Sequence, residues 1–323
     1  MALVSKSLQS QADSFEQDAR RTRCAGLLLF DLDDTIVQAG SYVSQRVLRA
    51  LGQARASGYV LSVASGRPLC SVHKGVLESG AMDYAVCSNG STVTRIEDGK
   101  VLCRQPMLRE DCLECHELLA PYGAAWNAFL DNMAYFEWKG ASYMLTGRTG
   151  ALARTRRYDE GRKDAVRKVA RTIRRGMRYV RLSFTNKGHK QVMSILPYIK
   201  GAEDGVDKMG CTIPKASDCH KAARLLATDG RFEVIRMGQT ELEITARGVT
   251  KGMGVRKLLE HLNLGTGDAV AFGDGANDLP LASAVGCFVA MGNAEDAVKA
   301  QADFVCPSVA EDGVAAWIEQ HLL

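Results

Sequence analysis

The sequence predicts an α/β protein: a doubly wound parallel sheet, of Rossmann-like type, that carries an inserted α+β cap domain. Three observations support this. Short apolar runs alternate with helical patterns near both ends of the 323-residue chain, which is typical of parallel strands joined by crossover helices. Each apolar run stops abruptly at polar residues. The middle of the chain breaks this rhythm, which indicates a separate module.

The first predicted strand is Gly26–Phe30, a continuous apolar run typical of a strand buried on both faces. A helix follows, with Ser44 as its N-cap and Gly58 as its stop signal. Its apolar residues repeat on one face at helical spacing, namely Val47, Leu48, Leu51 and Ala54. Two more strands are predicted over Tyr59–Ala64 and Tyr84–Cys87.

The rhythm resumes near the C-terminus with a helix over Lys251–Leu262 and a strand over 268–272. The remaining predicted elements are a helix over 278–285, a strand over Cys287–Ala290, a helix from about 295, a strand over 304–306 and a helix over 314–322. We therefore expect a catalytic core of residues 1–90 and 246–323, in which residues 1–25 form an N-terminal extension.

Residues 91–245 mix two kinds of pattern, and we expect them to form the cap, an α+β module with an antiparallel sheet. The alternating, strand-like stretches are 134–138, 191–195, Phe232–Met237 and 241–245. The helical stretches are 109–120, 162–175 and 216–228.

Composition narrows the class of protein. Hydrophobic residues make up 46% and charged residues 24%, which is ordinary for a folded globular protein, and the net charge of +4 is too small to imply a nucleic-acid or membrane partner. The chain has no apolar run long enough for a membrane span, and its first 25 residues do not resemble a signal peptide. Ten cysteines, mostly within apolar runs, predict free thiols in a reducing compartment, so we expect a cytoplasmic protein.

Polar residues follow four of the predicted strands or begin the next helix, where ligands bind in open α/β sheets. Asp31 and Asp33 are two positions apart, so both can face one side of an extended segment. Ser65 and Gly66 offer a hydroxyl group and backbone amides suited to phosphate oxygens. Lys251 lies at a helix start, where a cation and exposed amides favour an anion.

Asp274 and Asp278 add two carboxylates after the strand 268–272. Oxygen ligands without histidine or cysteine suit Mg²⁺ better than Zn²⁺. A cation between a carboxylate nucleophile and a phosphate dianion, with a lysine and a second carboxyl group, is what phosphoryl transfer requires. These residues therefore predict a magnesium-dependent enzyme acting on a small phosphorylated molecule.

The chain resembles the haloacid dehalogenase (HAD) superfamily, because four of its motifs occur here in order. They are Asp31-Leu32-Asp33-Asp34-Thr35, Ser65-Gly66-Arg67, Lys251, and Gly273-Asp274-Gly275-Ala276-Asn277-Asp278. The large insertion between the second and third motifs, with Ser88-Asn89-Gly90 and Gly248-Val249-Thr250-Lys251-Gly252, resembles the Cof-type sugar-phosphatase branch. The resemblance covers nearly the whole chain after residue 25. Asp34 stands where the family usually has Gly, and Ser65 where Thr is commoner.

The resemblance implies a role for each matching residue. Asp31 would be the nucleophile and a magnesium ligand, and Asp33 the general acid/base whose backbone carbonyl also binds the metal. Ser65, Gly66 and Lys251 would hold the phosphoryl group. The remaining roles are magnesium binding by Asp274, with Asp278 behind it through water or hydrogen bonds, and a position near the phosphate for Asn277.

These expectations describe a phosphatase that hydrolyses phosphate monoesters, such as sugar phosphates, through an aspartyl-phosphate intermediate. Two alternatives remain at this level. A phosphomutase or phosphotransferase on the same scaffold would pass the phosphate to a hydroxyl group. A non-catalytic nucleic-acid-associated protein would use the stretch 148–181, which holds 13 Lys or Arg against three acids; a solvated cap helix is the interpretation we favour, and nucleic acid is not an expected partner.

Other motifs have simpler interpretations. Asp31 and Asp33 alone would also suit helix capping, and Arg67 suits a structural salt bridge better than catalysis. The sequence Cys112-Leu113-Glu114-Cys115-His116 matches a haem-attachment pattern, which we attribute to chance. Residues 201–210 are either a substrate-reading loop of the cap or an ordinary surface turn. Neither the oligomeric state nor the substrate follows from the sequence.

Overall fold

A computed structural model describes residues 25–38, 42–145 and 188–323. Outside these ranges lie residues 1–24 of the expected N-terminal extension, the helix predicted over 162–175 and the whole basic stretch 148–181. The described strands form two sheets. None of the helices in these ranges combines the length and the apolar character that a bilayer crossing requires.

The larger sheet, which we call the core sheet, has the order β14-β13-β12-β1-β2-β3-β4-β5. The six strands from β14 to β3 pair in parallel, as predicted. The strands are β1 (Gly26–Phe30), β2 (Tyr59–Ala64), β3 (Tyr84–Cys87), β4 (Thr92–Arg95), β5 (Val101–Arg104), β12 (Ala269–Gly273), β13 (Cys287–Ala290) and β14 (Phe304–Val305). Every residue of β1 is buried, because parallel strands covered by helices have no solvent-facing side.

The core has five helices within the described ranges, and all but the short second one were predicted. They are α1 (Gln45–Ala56), α2 (Lys74–Glu78), α7 (Lys251–Leu262), α8 (Asp296–Lys299) and α9 (Gly313–His321). The Ser44 side chain accepts a hydrogen bond from the Val47 N–H, which confirms the predicted N-cap of α1. The helix predicted over 278–285 is instead a 3₁₀ segment, Ala276–Leu281. Pro280 lies inside it and cannot donate the hydrogen bonds of a longer helix.

The strands β4 and β5 correct the expected boundary between core and cap. Thr92–Arg95 pairs antiparallel with β3, and Val101–Arg104 pairs antiparallel with β4, so both belong to the core sheet. Val93 is buried in the core of that sheet, whereas Met107 belongs to the second hydrophobic core. The core sheet therefore continues past residue 90, as far as Arg104.

The second sheet, which we call the cap sheet, has the order β10-β11-β9-β6-β7-β8 and is antiparallel except between β7 and β8. Its strands are β6 (Ala125–Leu130), β7 (Met133–Glu137), β8 (His189–Val192), β9 (Lys208–Thr212), β10 (Phe232–Met237) and β11 (Glu241–Ala246). Its helices are α3 (Arg109–Leu119), α4 (Trp138–Leu145), α5 (Leu196–Lys200) and α6 (Ala216–Asp229). The antiparallel cap sheet was predicted, but β6 and β9 were not.

Residues 201–210 divide into two parts: Glu203 and Asp204 lie in an exposed turn, whereas the last three residues belong to the buried strand β9. Asp207 pairs with Arg104 at 2.7 Å, which ties this segment to the end of the core sheet. Cys112 and Cys115, from the haem-like pattern, are buried in the second hydrophobic core. All nine cysteines within the described ranges are free thiols.

Candidate active site

The parallel pairing of β1 with β12 brings the first and fourth motifs together. Phe30 lies opposite Phe272, so Asp31 and Asp274 leave adjacent strand ends on the same edge of the sheet. The Asp31 N–H donates to the Phe272 carbonyl at 3.0 Å. Carboxylate oxygens of Asp31, Asp274 and Asp278 all lie within 4.8 Å of one another. Three of the four predicted metal-binding aspartates therefore form one cluster through their side chains.

Lys251 lies inside this cluster. It is the first residue of α7, a helix that Thr250 caps by accepting from the Met253 N–H. The Lys251 side chain has no exposed surface, and its Nζ lies 2.7 Å from Asp31 Oδ1 and 2.7 Å from Asp278 Oδ1. The predicted phosphate-binding lysine is thus in direct contact with the predicted nucleophile.

Asp278 is held on both sides. One oxygen contacts Lys251, and the other accepts hydrogen bonds from the backbone N–H groups of Asp274 and Gly275, each at 3.0 Å. This carboxylate therefore orients both the lysine and the loop that carries Asp274. Because most of its hydrogen-bonding capacity is used in this way, its place is behind the cluster rather than at its open side.

The cluster concentrates negative charge where little water can reach it. Burial, partly offset by Lys251, raises the pKa of Asp31 to about 7. Burial and the neighbouring Asp31 and Asp278 raise the pKa of Asp274 to about 9. A divalent cation would relieve this repulsion, and oxygen ligands at such spacing suit a hard cation. The aspartates present therefore fit a divalent metal ion.

The Asp33 carboxylate is not part of this cluster. It makes two contacts with the Arg67 guanidinium group, at 2.6 and 2.7 Å, and Arg67 also donates to the Ser71 carbonyl at 3.0 Å. The Asp33 side chain is 56% exposed, so it lies on the open side of the site. Arg67 therefore forms a salt bridge, as the sequence suggested, and its partner is Asp33, the predicted acid/base.

Ser65 and Gly66 lie beside the cluster at the end of β2. Ser65 is buried, and its hydroxyl oxygen accepts from the Arg67 N–H at 3.2 Å. A Cβ atom on Gly66 would lie only 2.9 Å from Asn89 Oδ1 and 3.2 Å from Lys208 Nζ, which explains why this position has no side chain. Asn277 donates to Asn89 Oδ1 at 3.4 Å, which places the predicted phosphate neighbour on the same side.

Three residues of the site were not predicted from the sequence: Asn89, Lys208 and Glu243. Glu243 of β11 accepts from Lys208 Nζ at 2.6 Å and from Asn89 Nδ2 at 2.8 Å, so it joins the cap sheet to the core. The alternating pattern of 241–245 could have identified Glu243. Its neighbours Leu242 and Ile244 belong to the cap's apolar face, so Glu243 must lie on the opposite face of the strand.

A cavity of about 200 Å³ lies against the cap sheet on the face that carries Lys208 and Glu243. Its wall combines polar, aromatic and aliphatic side chains, which include Asn127, Thr212, Phe129, Phe136 and Met237. Met237 also approaches the position of a Cβ on Gly275 to 3.9 Å. The cavity thus borders Lys208 and Glu243, which link the cap sheet to the predicted phosphate-binding residue Gly66 and to Asn89.

The sequence can now be compared with known proteins. A family model for haloacid dehalogenase-like hydrolases matches residues 28–318, and the chain therefore belongs to this family. It is 26% identical to the pyridoxal phosphate phosphatase YbhA of Escherichia coli strain K12 over 298 residues, which is 92% of this chain and 98% of that protein.

A second relative is a Streptococcus pyogenes protein described as a bifunctional phosphatase and peptidyl-prolyl cis-trans isomerase. The chain is 25% identical to it over 295 residues, which is 91% of this chain but 53% of that protein. The chain thus spans about half the length of this relative, and the rest of that protein has no counterpart in the match.

Solved structures share the fold. A haloacid dehalogenase-like hydrolase from B. subtilis gives a TM-score of 0.76 at 20% identity, with 92% of this chain and 100% of that chain covered. A HAD subclass IIB sugar phosphatase gives 0.69 at 19% identity, covering 91% and 98%. The predicted fold class and the predicted family are confirmed, and the family is one of hydrolases, as expected for the enzyme class.

Proposed function

We propose that this protein is a phosphatase that removes phosphate from small phosphate monoesters through an aspartyl-phosphate on Asp31. The observation that carries the proposal is the buried contact of Lys251 with Asp31 and Asp278, beside Asp274. A lysine held against the nucleophile can neutralise both that carboxylate and an incoming phosphate. The relatives named as phosphatases along the whole chain support the same activity.

In this mechanism an oxygen of Asp31 attacks phosphorus, and the bond between phosphorus and the ester oxygen breaks. Asp33 gives its proton to the departing alkoxide. It then takes a proton from a water molecule that attacks the aspartyl-phosphate, which releases inorganic phosphate and restores Asp31. The exposure of Asp33 suits this exchange with the leaving group and with water. Arg67 orients Asp33 between the two half-reactions.

We assign the metal as Mg²⁺, to be held by the carboxylates of Asp31 and Asp274 and the backbone carbonyl of Asp33, with Asp278 behind them. Such a cation lowers the repulsion between the Asp31 carboxylate and the phosphate dianion. The phosphoryl oxygens would accept hydrogen bonds from Lys251, from the Ser65 hydroxyl and from the amide of Gly66. Asn277 would lie next to them, through its contact with Asn89.

The substrate class follows from the relatives and the size of the site. One relative is named for pyridoxal phosphate and one solved neighbour as a sugar phosphatase. The cavity of about 200 Å³ that Lys208 and Glu243 line suits a leaving group of comparable size. We therefore propose a small phosphorylated metabolite, such as a sugar phosphate or a cofactor phosphate, as substrate.

The test is phosphate release from a panel of sugar, cofactor and nucleotide monophosphates with Mg²⁺, for the wild type and Asp31→Asn. We expect the variant to lose activity by about 10³-fold or more, because the nucleophile is gone. Asp204→Asn, the same change at an exposed aspartate of the cap, should keep wild-type activity.

Two results would contradict the proposal. An Asp31→Asn enzyme that keeps its turnover would exclude the aspartyl-phosphate. A folded wild type that releases no phosphate but transfers it to a hydroxyl acceptor would identify a phosphomutase or phosphotransferase instead.

A further inference from the structure

The face of the cap sheet that borders the active site is chemically distinct from the opposite face. In β9, Met209 and Cys211 point into the cap's hydrophobic core. Because side chains alternate along a strand, Lys208, Gly210 and Thr212 share the other face, where they line the cavity of about 200 Å³. This face therefore meets whatever is attached to the phosphate.

Lys208 lies where the cavity meets the phosphate-binding loop. Its side chain is 3% exposed, and a Cβ on Gly66 would lie 3.2 Å from its Nζ. The ammonium group also lies 4.9 Å from the centre of the Phe129 ring, a cation–π contact. A substrate atom that contacts Lys208 while the phosphate is bound at Gly66 is therefore only a few covalent bonds from phosphorus.

Among the described residues, Lys208 makes fewer hydrogen bonds than Lys251 and Arg67, the other two cations of the site. Lys251 contacts two carboxylates, and Arg67 contacts Asp33 twice. Within the described part of the chain, Lys208 has one hydrogen-bond acceptor, Glu243 Oε1 at 2.6 Å. An ammonium group has three N–H donors, so Lys208 keeps donors for a ligand while Glu243 holds it in place.

Glu243 is itself firmly positioned. Burial raises its pKa, but Lys208 and the hydrogen bond from Asn89 outweigh that effect and hold the pKa below its ordinary value. The carboxylate thus stays ionised and fixes the lysine against the core. A largely buried charge pair, which Asn89 ties to the core, costs desolvation free energy, and this favours a role beyond stability.

Asn127 completes the polar surface of the cavity. A Cβ on Gly210 would lie 2.7 Å from Asn127 Oδ1 and 2.9 Å from Nδ2, so the absence of a side chain at Gly210 lets this amide lie across the sheet. The amide has no hydrogen-bond partner among the residues that the structure describes. It offers one acceptor and two donors to a ligand, next to the rings of Phe129 and Phe136.

We propose that Lys208 determines the specificity of the enzyme by donating to an oxygen substituent of the leaving group, next to the phosphorylated carbon. Asn127 binds a further oxygen, and the ring or carbon chain of the leaving group packs against Phe129 and Phe136. The preferred substrates are therefore monophosphates of a single oxygen-bearing ring or a short polyol. This assignment rests on the proposed phosphatase activity.

The experiment compares two classes of substrate in Lys208→Met. The first is whichever of glucose 6-phosphate, ribose 5-phosphate and pyridoxal 5′-phosphate the wild type hydrolyses fastest; the second is phenyl phosphate, which has no such oxygen. We expect kcat/KM to fall by roughly 10- to 100-fold for the first, mainly through KM, because a charged hydrogen bond is lost. For phenyl phosphate we expect less than about a threefold change.

Lys190→Met is the matched control. Lys190 lies on the same sheet, but it packs over Tyr135 of the cap's hydrophobic core, on the opposite face, so both substrates should be hydrolysed as by the wild type. Thermal melts establish that each variant is folded. Asn127→Ala keeps the pair of Lys208 and Glu243 intact. In this variant too, kcat/KM should fall for the oxygen-bearing substrate but not for phenyl phosphate, and this test holds even if Lys208→Met does not fold.

Equal losses of kcat/KM for both substrates would show that Lys208 contacts the phosphate itself, and they would overturn the specificity assignment. Unchanged kinetics in Lys208→Met would also overturn it. If that variant does not fold, unchanged kinetics in Asn127→Ala would do the same. Either result leaves the phosphatase proposal intact, because Asp31-dependent release from phenyl phosphate is measured separately. A wild type that releases phosphate from none of these esters overturns both proposals.

Discussion

At the scale of single residues, the most informative group is the ammonium of Lys251, which has no exposed surface and lies between two carboxylates. Burial alone lowers a lysine pKa, but Asp278 and Asp31 raise the pKa of Lys251 above its ordinary value. The side chain is therefore charged, and the two aspartates depend on it for compensation. The same charge that compensates Asp31 and Asp278 is available to a phosphate.

Removal of this charge should destabilise the fold as well as abolish activity. In Lys251→Met, with a chelator present, we expect the free energy of unfolding to fall by about 3–5 kcal/mol, because two buried carboxylates lose their counter-ion. Urea denaturation measures this difference. Lys257→Met removes an exposed lysine of the same helix that pairs with Glu260, and it should change the free energy by less than about 0.5 kcal/mol. Equal effects of the two substitutions would refute the argument.

At the scale of elements, the position of α7 depends on close contact with the loop after β3. A Cβ on Gly254 would lie 2.7 Å from the Gly90 Cα and 2.7 Å from Val86 Cγ1. Gly254 is one turn after Lys251, so the lack of side chains at this crossing lets the helix start approach the strand ends. The geometry of Lys251 is therefore set partly by glycines that touch no substrate.

Gly254→Ala tests this dependence. We expect it to lower the free energy of unfolding by about 1–3 kcal/mol, because backbone must move to admit the methyl group, and to reduce phosphate release as Lys251 shifts. Gly52→Ala is the comparison, since that glycine lies in α1 with nothing within 4 Å of its Cβ position. There the same change should stabilise the protein by about 0.5–1 kcal/mol. Urea denaturation that moved both variants in the same direction would contradict the packing argument.

At the scale of the whole molecule, the aspartate cluster couples folding to pH and to metal. The folded protein holds Asp31 with a pKa of about 7 and Asp274 with a pKa of about 9, against 3.8 ordinarily. Between pH 3.8 and about pH 9 the folded state therefore binds more protons than the unfolded state. The free energy of unfolding of the metal-free protein should therefore fall as pH rises from about 4 to about 9.

A divalent cation should reverse this trend, because it competes with protons for the same oxygens. We expect Mg²⁺ to raise the melting temperature more at pH 8.5 than at pH 5.5, with up to about 2.7 kcal/mol of stabilisation at a hundredfold excess over its dissociation constant. Thermal melts with EDTA or Mg²⁺ at the two pH values measure it. Asp274→Asn should remove most of the shift, and a shift independent of pH would exclude this cluster as the metal site.

Much of the core followed from local patterns. The strands Gly26–Phe30, Tyr59–Ala64 and Tyr84–Cys87 and the helix Lys251–Leu262 have the predicted bounds, because buried apolar runs and helix caps depend on neighbouring residues alone. The convergence of Asp31, Lys251, Asp274 and Asp278 was also foreseeable, since carboxyl ends of parallel strands share one edge of a sheet.

Contacts between distant segments were not foreseeable in this way. Lys208 and Glu243 are 35 positions apart, and they meet because the antiparallel register of the cap sheet places β9 beside β11. Asn89 and Glu243 are 154 positions apart, and they meet because the cap sheet lies against the loop after β3. The strand β9 was missed because Lys208-Met-Gly-Cys-Thr is too short and too mixed to show a period. The hairpin of β4 and β5 was assigned to the cap for the same reason.

The sequence by itself therefore determined the family and the fold class, and it predicted the residues of the candidate site, because each depends on residue types at fixed local spacing. Only the tertiary structure decided which carboxylate faces which cation: Asp33 pairs with Arg67, while Lys208 and Glu243 reach the site from the cap. Such pairs depend on the packing of two sheets against each other. That packing is a property of the whole chain, and no short segment encodes it.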